Sequence, residues 1–494
     1  MSKTIKIDPI TRIEGHLAIE AVVDDGVVKE AKSAGTLFRG FEIILQGRDP
    51  RDANRLTQRI CGVCPTSHAT ASALCIDDAF GLTDKIPDNA KLIRALVLGA
   101  NFLQSHILHF YHLAALDYVD AVSALGPLSP FVPRYEGDYR ISGEANAELV
   151  GHYVQALDIR RKCQEMLSIF GGKMPHNVGI VPGGVTERPT EDKITNFLWR
   201  LNEIRNFVDN VYIPDVIAVA QTYDDYFSIG KGCGKLLTYG GFDLPAGRFF
   251  KAGVVSQDLK LEPFAEENIT EDLKHSWYAD SGSGKNPAEG QTEPQLDKKQ
   301  AYSFLKSPRY KGEVVELGPL ARMVSNYVQE DAKAKELVDS LLGQFGAGAD
   351  ALFSVLGRHA ARALEAKLVA DAMADWLQAL KPAEDVIVAN EIPAEGVGAG
   401  LTEAPRGSVG HWMTIKDKKI ERYQVITPTA WNASPKDDKD QPGAVEQALT
   451  GTKVKDRDNP FELVRIVRAF DPCLACSVHL LDAKRDALGV FKVV

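Results

Sequence analysis

Two cysteine pairs stand near opposite ends of the 494-residue chain. The first lies in Arg59-Ile60-Cys61-Gly62-Val63-Cys64-Pro65, with His68 just beyond it; the second lies in Asp471-Pro472-Cys473-Leu474-Ala475-Cys476, with His479 just beyond it. Four thiolates brought together are soft ligands that suit a redox-active first-row metal such as nickel or iron, and also zinc. Zinc modules usually set their pairs about 15–20 residues apart within one small unit, so this spacing points to a centre assembled by the whole fold. A thioredoxin-like site needs only one C-x-x-C, and haem attachment needs a histidine directly after the second cysteine, which neither pair has. Spacing alone does not choose the metal.

Other residues could serve such a centre. Glu14 lies among Ile13 and Leu17, and Glu42 among Phe41, Ile43 and Ile44. A carboxyl in apolar surroundings is pushed toward its protonated form and can relay protons; the competing reading is a structurally paired carboxylate. His68 is expected to donate toward a cysteine sulfur. Arg406, in the Gly-rich stretch Ala404-Pro405-Arg406-Gly407, would keep its charge inside a site; the alternative is a surface ion pair. His106, His109 and His112 recur every third residue and read mostly as packing and hydrogen-bonding groups. Cys75, Cys163 and Cys233 are isolated and receive no role.

The elements that must position these groups read as an α+β chain, mainly helical. Residues 1–38 alternate as strands around an Asp24-Asp25-Gly26 turn. Pro65 and the small residues after it open a helix, which places Cys64 at a helix N-terminus. Four long helical segments are expected: from Pro87-Asp88 to about Ala124, from Gly143 to Phe170, from Thr190 to Ile229 with a kink at Pro214, and from Ala349 to Leu380. Together they would form a long central bundle. Residues 256–312 read as a polar loop insertion, and residues 395–411 as an irregular Gly-rich region. The chain is treated as one domain, 1–494. It divides into a β region with the first metal motif (1–80), helices (88–380), the second metal-motif region (385–479) and a C-terminal extension (480–494). A net charge of −10 without a basic stripe argues against nucleic acid. No run of about 18 apolar residues spans a membrane, and the start lacks the apolar core of a signal peptide. An odd count of seven cysteines fits a thiol or metal protein better than a disulfide framework.

The sequence resembles the large subunit of the nickel–iron hydrogenases over essentially its whole length. The resemblance rests on R-I-E-G-H-L (12–17), F-R-G-F-E (38–42), R-D-P-R-D-A (48–53), T-Q-R-I-C-G-V-C-P (57–65), H-F-Y-H-L-x-A-L-D (109–117), H-S-W-Y (275–278), S-P-R-Y (307–310), G-P-L-A-R (318–322), A-P-R-G (404–407), P-T-A-W-N (428–432) and D-P-C-x-x-C-x-x-H (471–479). It implies that Cys61, Cys64, Cys473 and Cys476 hold nickel, and that Cys64 and Cys476 also bridge to an iron carrying carbon monoxide and cyanide. It implies that Arg406, Asp117 and Asp471 form a canopy over the reacting position, and that Glu14 takes the proton from the terminal thiolate. Thr429 would hydrogen-bond a cyanide, with His68 and Pro405 also beside the cofactor. Glu42, His479 and the carbonyl near Val425 would hold a separate magnesium or iron. The implied reaction is reversible oxidation of hydrogen to protons and electrons, passed to a small iron–sulfur subunit. A hydrogen-sensing relative and a zinc-stabilised structural protein are the alternatives.

Within that family the chain is similar to the nickel–iron–selenium branch, where the first residue of the C-terminal motif is selenocysteine. That position is Cys473 here, read as a true cysteine, an engineered replacement, or a selenocysteine written as cysteine. The resemblance also implies a nickel-insertion chaperone, an endopeptidase that cuts after His479, and a periplasmic location reached with the small subunit. The alternative location is cytoplasmic or membrane-associated through a partner.

Overall fold

The computed structural model describes residues 2–129, 131–132 and 136–474. Cys476, His479 and the extension 480–494 lie outside the described residues. Lys3–Ile7, Leu17–Asp24 and Val27–Gly35 form an antiparallel meander whose inward residues, Leu17, Ile19, Ala21 and Val23, are fully buried. The link between its first two strands, residues 8–16, carries Arg12 and Glu14. Its outer end runs beside the C-terminal cysteine motif: Glu14 and Cys473 form a parallel bridge, Glu14 N–H donates to Pro472 O and Leu474 N–H to Glu14 O. The N-terminal link and the C-terminal cysteine motif are thus joined by backbone hydrogen bonds beside the cysteines.

Cys64 is the N-cap of helix Pro65–Ala79, with Pro65 at its first position, as the spacing predicts. This helix is buried nearly all round. One of its faces is covered by an element that the sequence reading treats as irregular. Residues 395–426 form a three-stranded antiparallel meander, Glu395–Ala404, Gly407–Lys416 and Lys419–Ile426. The reason is close approach. A Cβ on Gly400 would lie 2.0 Å from Ala71 O, one on Gly398 2.3 Å from Cys75 O, and one on Gly396 2.7 Å from Ala79 O. Two strand residues advance about 6.7 Å and four helix residues about 6 Å, so glycines at every second position meet helix carbonyls at every fourth. The glycines that look like loop chemistry let a strand lie directly on the helix that begins at Cys64.

The long helices appear, with shifted bounds. Asp88–Ile107 runs into a π-helical turn, Leu108–Ala114, and a 3-10 turn, Ala115–Asp117, rather than continuing to Ala124. Gly143–Gly171 matches its expectation. The third segment is broken: Glu191–Phe207 gives way to a π turn, Val208–Tyr212, directly before the Pro214 helix Ile213–Thr222. Proline lacks the N–H that would continue the α ladder, and the widened turn accommodates it. The fourth starts at Val355, capped by Ser354 Oγ, which accepts the Gly357 N–H, and ends at Gln378; Ala349–Leu352 is a separate 3-10 turn. Asp88–Ile107 packs against Gly143–Gly171 and Val355–Gln378, and Glu191–Phe207 against the same two. The 256–312 stretch is not wholly loop: Ile269–Asp272 pairs with Ser307–Tyr310, and Leu261–Glu262 with Gly253–Ser256. No helix among the described residues is long and apolar enough to cross a membrane.

Candidate metal centre

Cys61, Cys64 and Cys473 converge, with their sulfurs all within 4.8 Å of one another. Cys61 Sγ and Cys473 Sγ are 3.4 Å apart. All three are buried. The N–H groups of Val63 and Cys64 both donate to Cys61 Sγ at 3.3 Å, and the helix N-terminus beginning at Cys64 adds its positive end. These dipoles favour thiolates, yet several negative sulfurs at this separation and burial need a cation between them. The donor set is soft, close and dry, and it fits nickel and iron.

Above the sulfurs stands a buried charge pair, Arg406 with Asp471, Nε to Oδ1 3.1 Å. Burial opposes the charge on Arg406, but Asp471 and the thiolates of Cys473, Cys64 and Cys61 overcome it and hold the guanidinium charged. Among the described residues, Arg406 Nη2 and Asp471 Oδ2 are buried with no hydrogen-bond partner. Buried polar atoms are nearly always satisfied, so these orphans mark where another group belongs. Asp471 adopts φ 55°, a left-handed conformation that aspartate tolerates better than most residues; it turns the chain just ahead of Pro472-Cys473.

Cys473 Sγ lies 3.3 Å from Glu14 Oε2. Thr429, in the short helix Pro428–Asn432, accepts the Cys473 N–H at 2.9 Å. Pro405 O accepts from Arg322. Glu42 Oε1 accepts the Val425 N–H at 2.8 Å; its other oxygen meets Thr292 Oγ1 and lies 3.9 Å from Lys306 Nζ.

These observations decide the family. A family described as nickel-dependent hydrogenase matches residues 39–127 and 124–479. The chain belongs to the nickel-dependent hydrogenases.

A second family, described as HoxL-like, matches residues 4–34. The periplasmic [NiFeSe] hydrogenase large subunit of Desulfomicrobium baculatum is 46% identical, covering 97% of this chain and 95% of that one. The uptake hydrogenase large subunit of Bradyrhizobium diazoefficiens is 38% identical over 99% and 97%. The solved Ni-Fe-Se hydrogenase from D. vulgaris Hildenborough superposes with a TM-score of 0.91 at 46% identity, covering 97% of this chain and 100% of that one. The chain is a large subunit of this hydrogenase family, whose members are oxidoreductases acting on hydrogen.

Two residues expected at the hydrogenase site are held by partners of their own. Asp117 is ion-paired with Arg12 and Arg468, while Arg406 pairs with Asp471. Asp117 Oδ1 is held by Arg12 and by Arg468 Nη1 at 2.5 Å, and its backbone carbonyl accepts from Arg465. The helix ends in π and 3-10 turns ahead of Asp117, which turns the carboxylate toward the C-terminal helix Phe461–Ala469. Burial alone would raise its carboxyl; Arg12, Arg468 and Arg465 outweigh that and hold it below the ordinary value. His68 Nδ1 bonds to His411 Nε2 at 3.1 Å, and burial lowers its pKa to about 4. His411 in turn bonds to Tyr423 Oη, so His68 ties the cysteine helix to the glycine-rich sheet.

Sequence reasoning missed Arg12, Arg465 and Arg468 as carboxylate holders, and Arg322, Glu365, Glu403 and His411 as buried polar groups. One signal was available: Arg465 and Arg468 sit three apart in an otherwise apolar run, Leu463-Val464-Arg465-Ile466-Val467-Arg468, which puts both on one side of a helix. His106, His109 and His112 bond to Glu365, to Arg468 O and to Tyr153 O, within the protein interior.

Proposed function

We propose that this large subunit catalyses the reversible oxidation of hydrogen to two protons and two electrons, at a nickel–iron centre held by Cys61, Cys64, Cys473 and Cys476. The observation that carries this reading is the 3.3 Å contact between Cys473 Sγ and Glu14 Oε2, a metal-ligating sulfur touching an acid–base group. When bound, the metal pair supplies Lewis acidity and accepts electrons. The protein supplies the rest. Cys473 Sγ receives the proton and passes it to Glu14 Oε2, which the paired backbones of residues 14 and 473 keep in reach. Arg406 and Asp471 form a fixed, water-poor dipole beside the thiolates, which polarises without ligating. Thr429 Oγ1 is occupied as an acceptor by Cys473 N–H, so its hydroxyl hydrogen is left to donate to a cyanide on iron. Pro405 and His68 border the same space. Glu42, the Val425 carbonyl and His479 would hold a second ion, magnesium or iron.

Electrons leave to a small iron–sulfur subunit, and the pair works in the periplasm after export together. A nickel-insertion chaperone loads the centre, and an endopeptidase removes residues 480–494. Position 473 carries cysteine or, natively, selenocysteine. The test is metal analysis with turnover on the purified complex. One nickel per chain with excess iron, and hydrogen-dependent reduction of an artificial acceptor, are expected; selenium near one per chain would mark selenocysteine. Zinc alone, without turnover, would overturn the reading, and hydrogen binding with very slow turnover would convert it to a sensor.

A further inference from the structure

The turn that carries Arg406 is clamped from beneath by one arginine. Arg322 lies on helix Pro319–Val328 and is fully buried. All five of its N–H groups are used. Nε donates to Glu365 Oε2 at 3.0 Å and Nη2 to Glu365 Oε1 at 2.7 Å; Nη1 donates to Glu403 Oε2 at 2.6 Å. The two remaining N–H groups donate to Ala404 O and Pro405 O, each at 2.9 Å. Those are the two carbonyls immediately before Arg406. Glu403 is fixed in turn by Thr238 Oγ1, Tyr239 N and Ser408 Oγ, the last lying on the far side of the turn. Glu365 also takes His106 Nε2 at 3.0 Å. The turn sits on the start of the Arg322 helix so closely that a Cβ on Gly407 would come within 2.8 Å of Leu317 Cβ and 2.9 Å of Gly318 N.

We propose that Arg322 is a positioning residue for the hydrogen reaction: its guanidinium fixes the Ala404-Pro405 carbonyls and so sets where Arg406 stands over the cysteine centre. The proposal rests on the reading that Arg406 acts at that centre. Arg322 acts only through the turn. A planar fork with five donors meets two carboxylates and two carbonyls at once; a lysine, with three donors on one atom, does not.

The test compares Arg322→Lys and Arg406→Lys in the assembled complex. It reads nickel per chain, the crystal position of the Arg406 guanidinium, and hydrogen-dependent dye reduction as kcat and KM. Arg322→Lys is expected to keep its nickel and its KM for hydrogen, to move the guanidinium by about 1 Å, and to lose roughly tenfold to a hundredfold in kcat. Wild-type kcat or an unmoved Arg406 in Arg322→Lys, with Arg406→Lys impaired, overturns the proposal. Wild-type kcat in Arg406→Lys instead overturns the reading of Arg406 beneath it. If Arg322→Lys assembles without nickel, Glu403→Gln decides. That variant keeps an acceptor for Tyr239 N–H and loosens the Arg322 contact, so the same shift and loss are expected. Nickel loss in both variants overturns positioning in favour of a role in assembly alone.

Discussion

Glu14 and Cys473 are a pair whose chemistry can be separated from their packing. Glu14→Gln keeps the shape and the backbone bridge to Cys473 but cannot take a proton at its side chain. Nickel per chain should be unchanged, and hydrogen-dependent turnover should fall by about 100-fold or more, the ordinary scale of a lost acid–base group. Turnover within a few-fold of wild type would remove Glu14 from the proton route. His112 tests burial in another way. Burial, with the charge of Arg160 adding to it, lowers its pKa to about 4, against about 6.5 in an unfolded chain. The unfolded chain therefore binds the proton first on acidification. The stability that this neutral histidine contributes is complete above about pH 6.5 and is lost as pH falls toward 4. Replacing it with glutamine should flatten the loss of stability between pH 6 and pH 5 by about 1 kcal/mol, measured by denaturant midpoints at the two values. An unchanged slope would mean that His112 titrates normally.

At the scale of elements, the glycine-rich strand on the cysteine helix is the contact most sensitive to a single carbon. Gly400→Ala places a methyl 2.0 Å from Ala71 O and 2.5 Å from Cys75 N, both backbone atoms that cannot rotate away. The strand must lift from the helix that starts at Cys64. A loss of about 1–3 kcal/mol or more is expected, with a lower unfolding temperature and less nickel retained. Gly343 is the contrast: it lies at an exposed position of helix Ala332–Phe345, and a Cβ there meets nothing within 4 Å. Gly343→Ala should leave nickel unchanged and raise stability by roughly 0.4–1 kcal/mol. Equal behaviour of the two variants would mean that the strand–helix contact has room to spare. The strand itself was not legible in the sequence. Glycine at alternate positions lowers strand propensity and reads as a loop until the helix beneath it is known.

On the scale of the whole molecule, the centre joins the N-terminal link to the second cysteine motif, more than 450 residues apart. The link before strand Leu17–Asp24 supplies the backbone partner of Cys473, and its Thr11 O and Arg12 bind Arg468 and Asp117. Removing residues 1–16 deletes no cysteine, yet it should leave well under one nickel per chain in the purified complex. Full nickel occupancy after that deletion would show that the second cysteine motif holds its place without the N-terminal segment.

The sequence by itself showed two C-x-x-C pairs of soft thiol ligands and a helix opening at Cys64, which follow from residue type and short spacing and are local. The residues alone left Glu14 and Arg406 open between a site and a structural ion pair; their roles came only with the family resemblance. Only the tertiary structure decided which buried charges answer one another. Asp117 pairs with Arg12 and Arg468, His68 bonds to His411, and Arg322 closes on Glu365, Glu403 and the Arg406 turn. Each of these pairs spans tens to hundreds of residues. An arginine carries the same five donors wherever it stands, so its partner is set by which elements the hydrophobic core presses together and not by anything beside it in the chain.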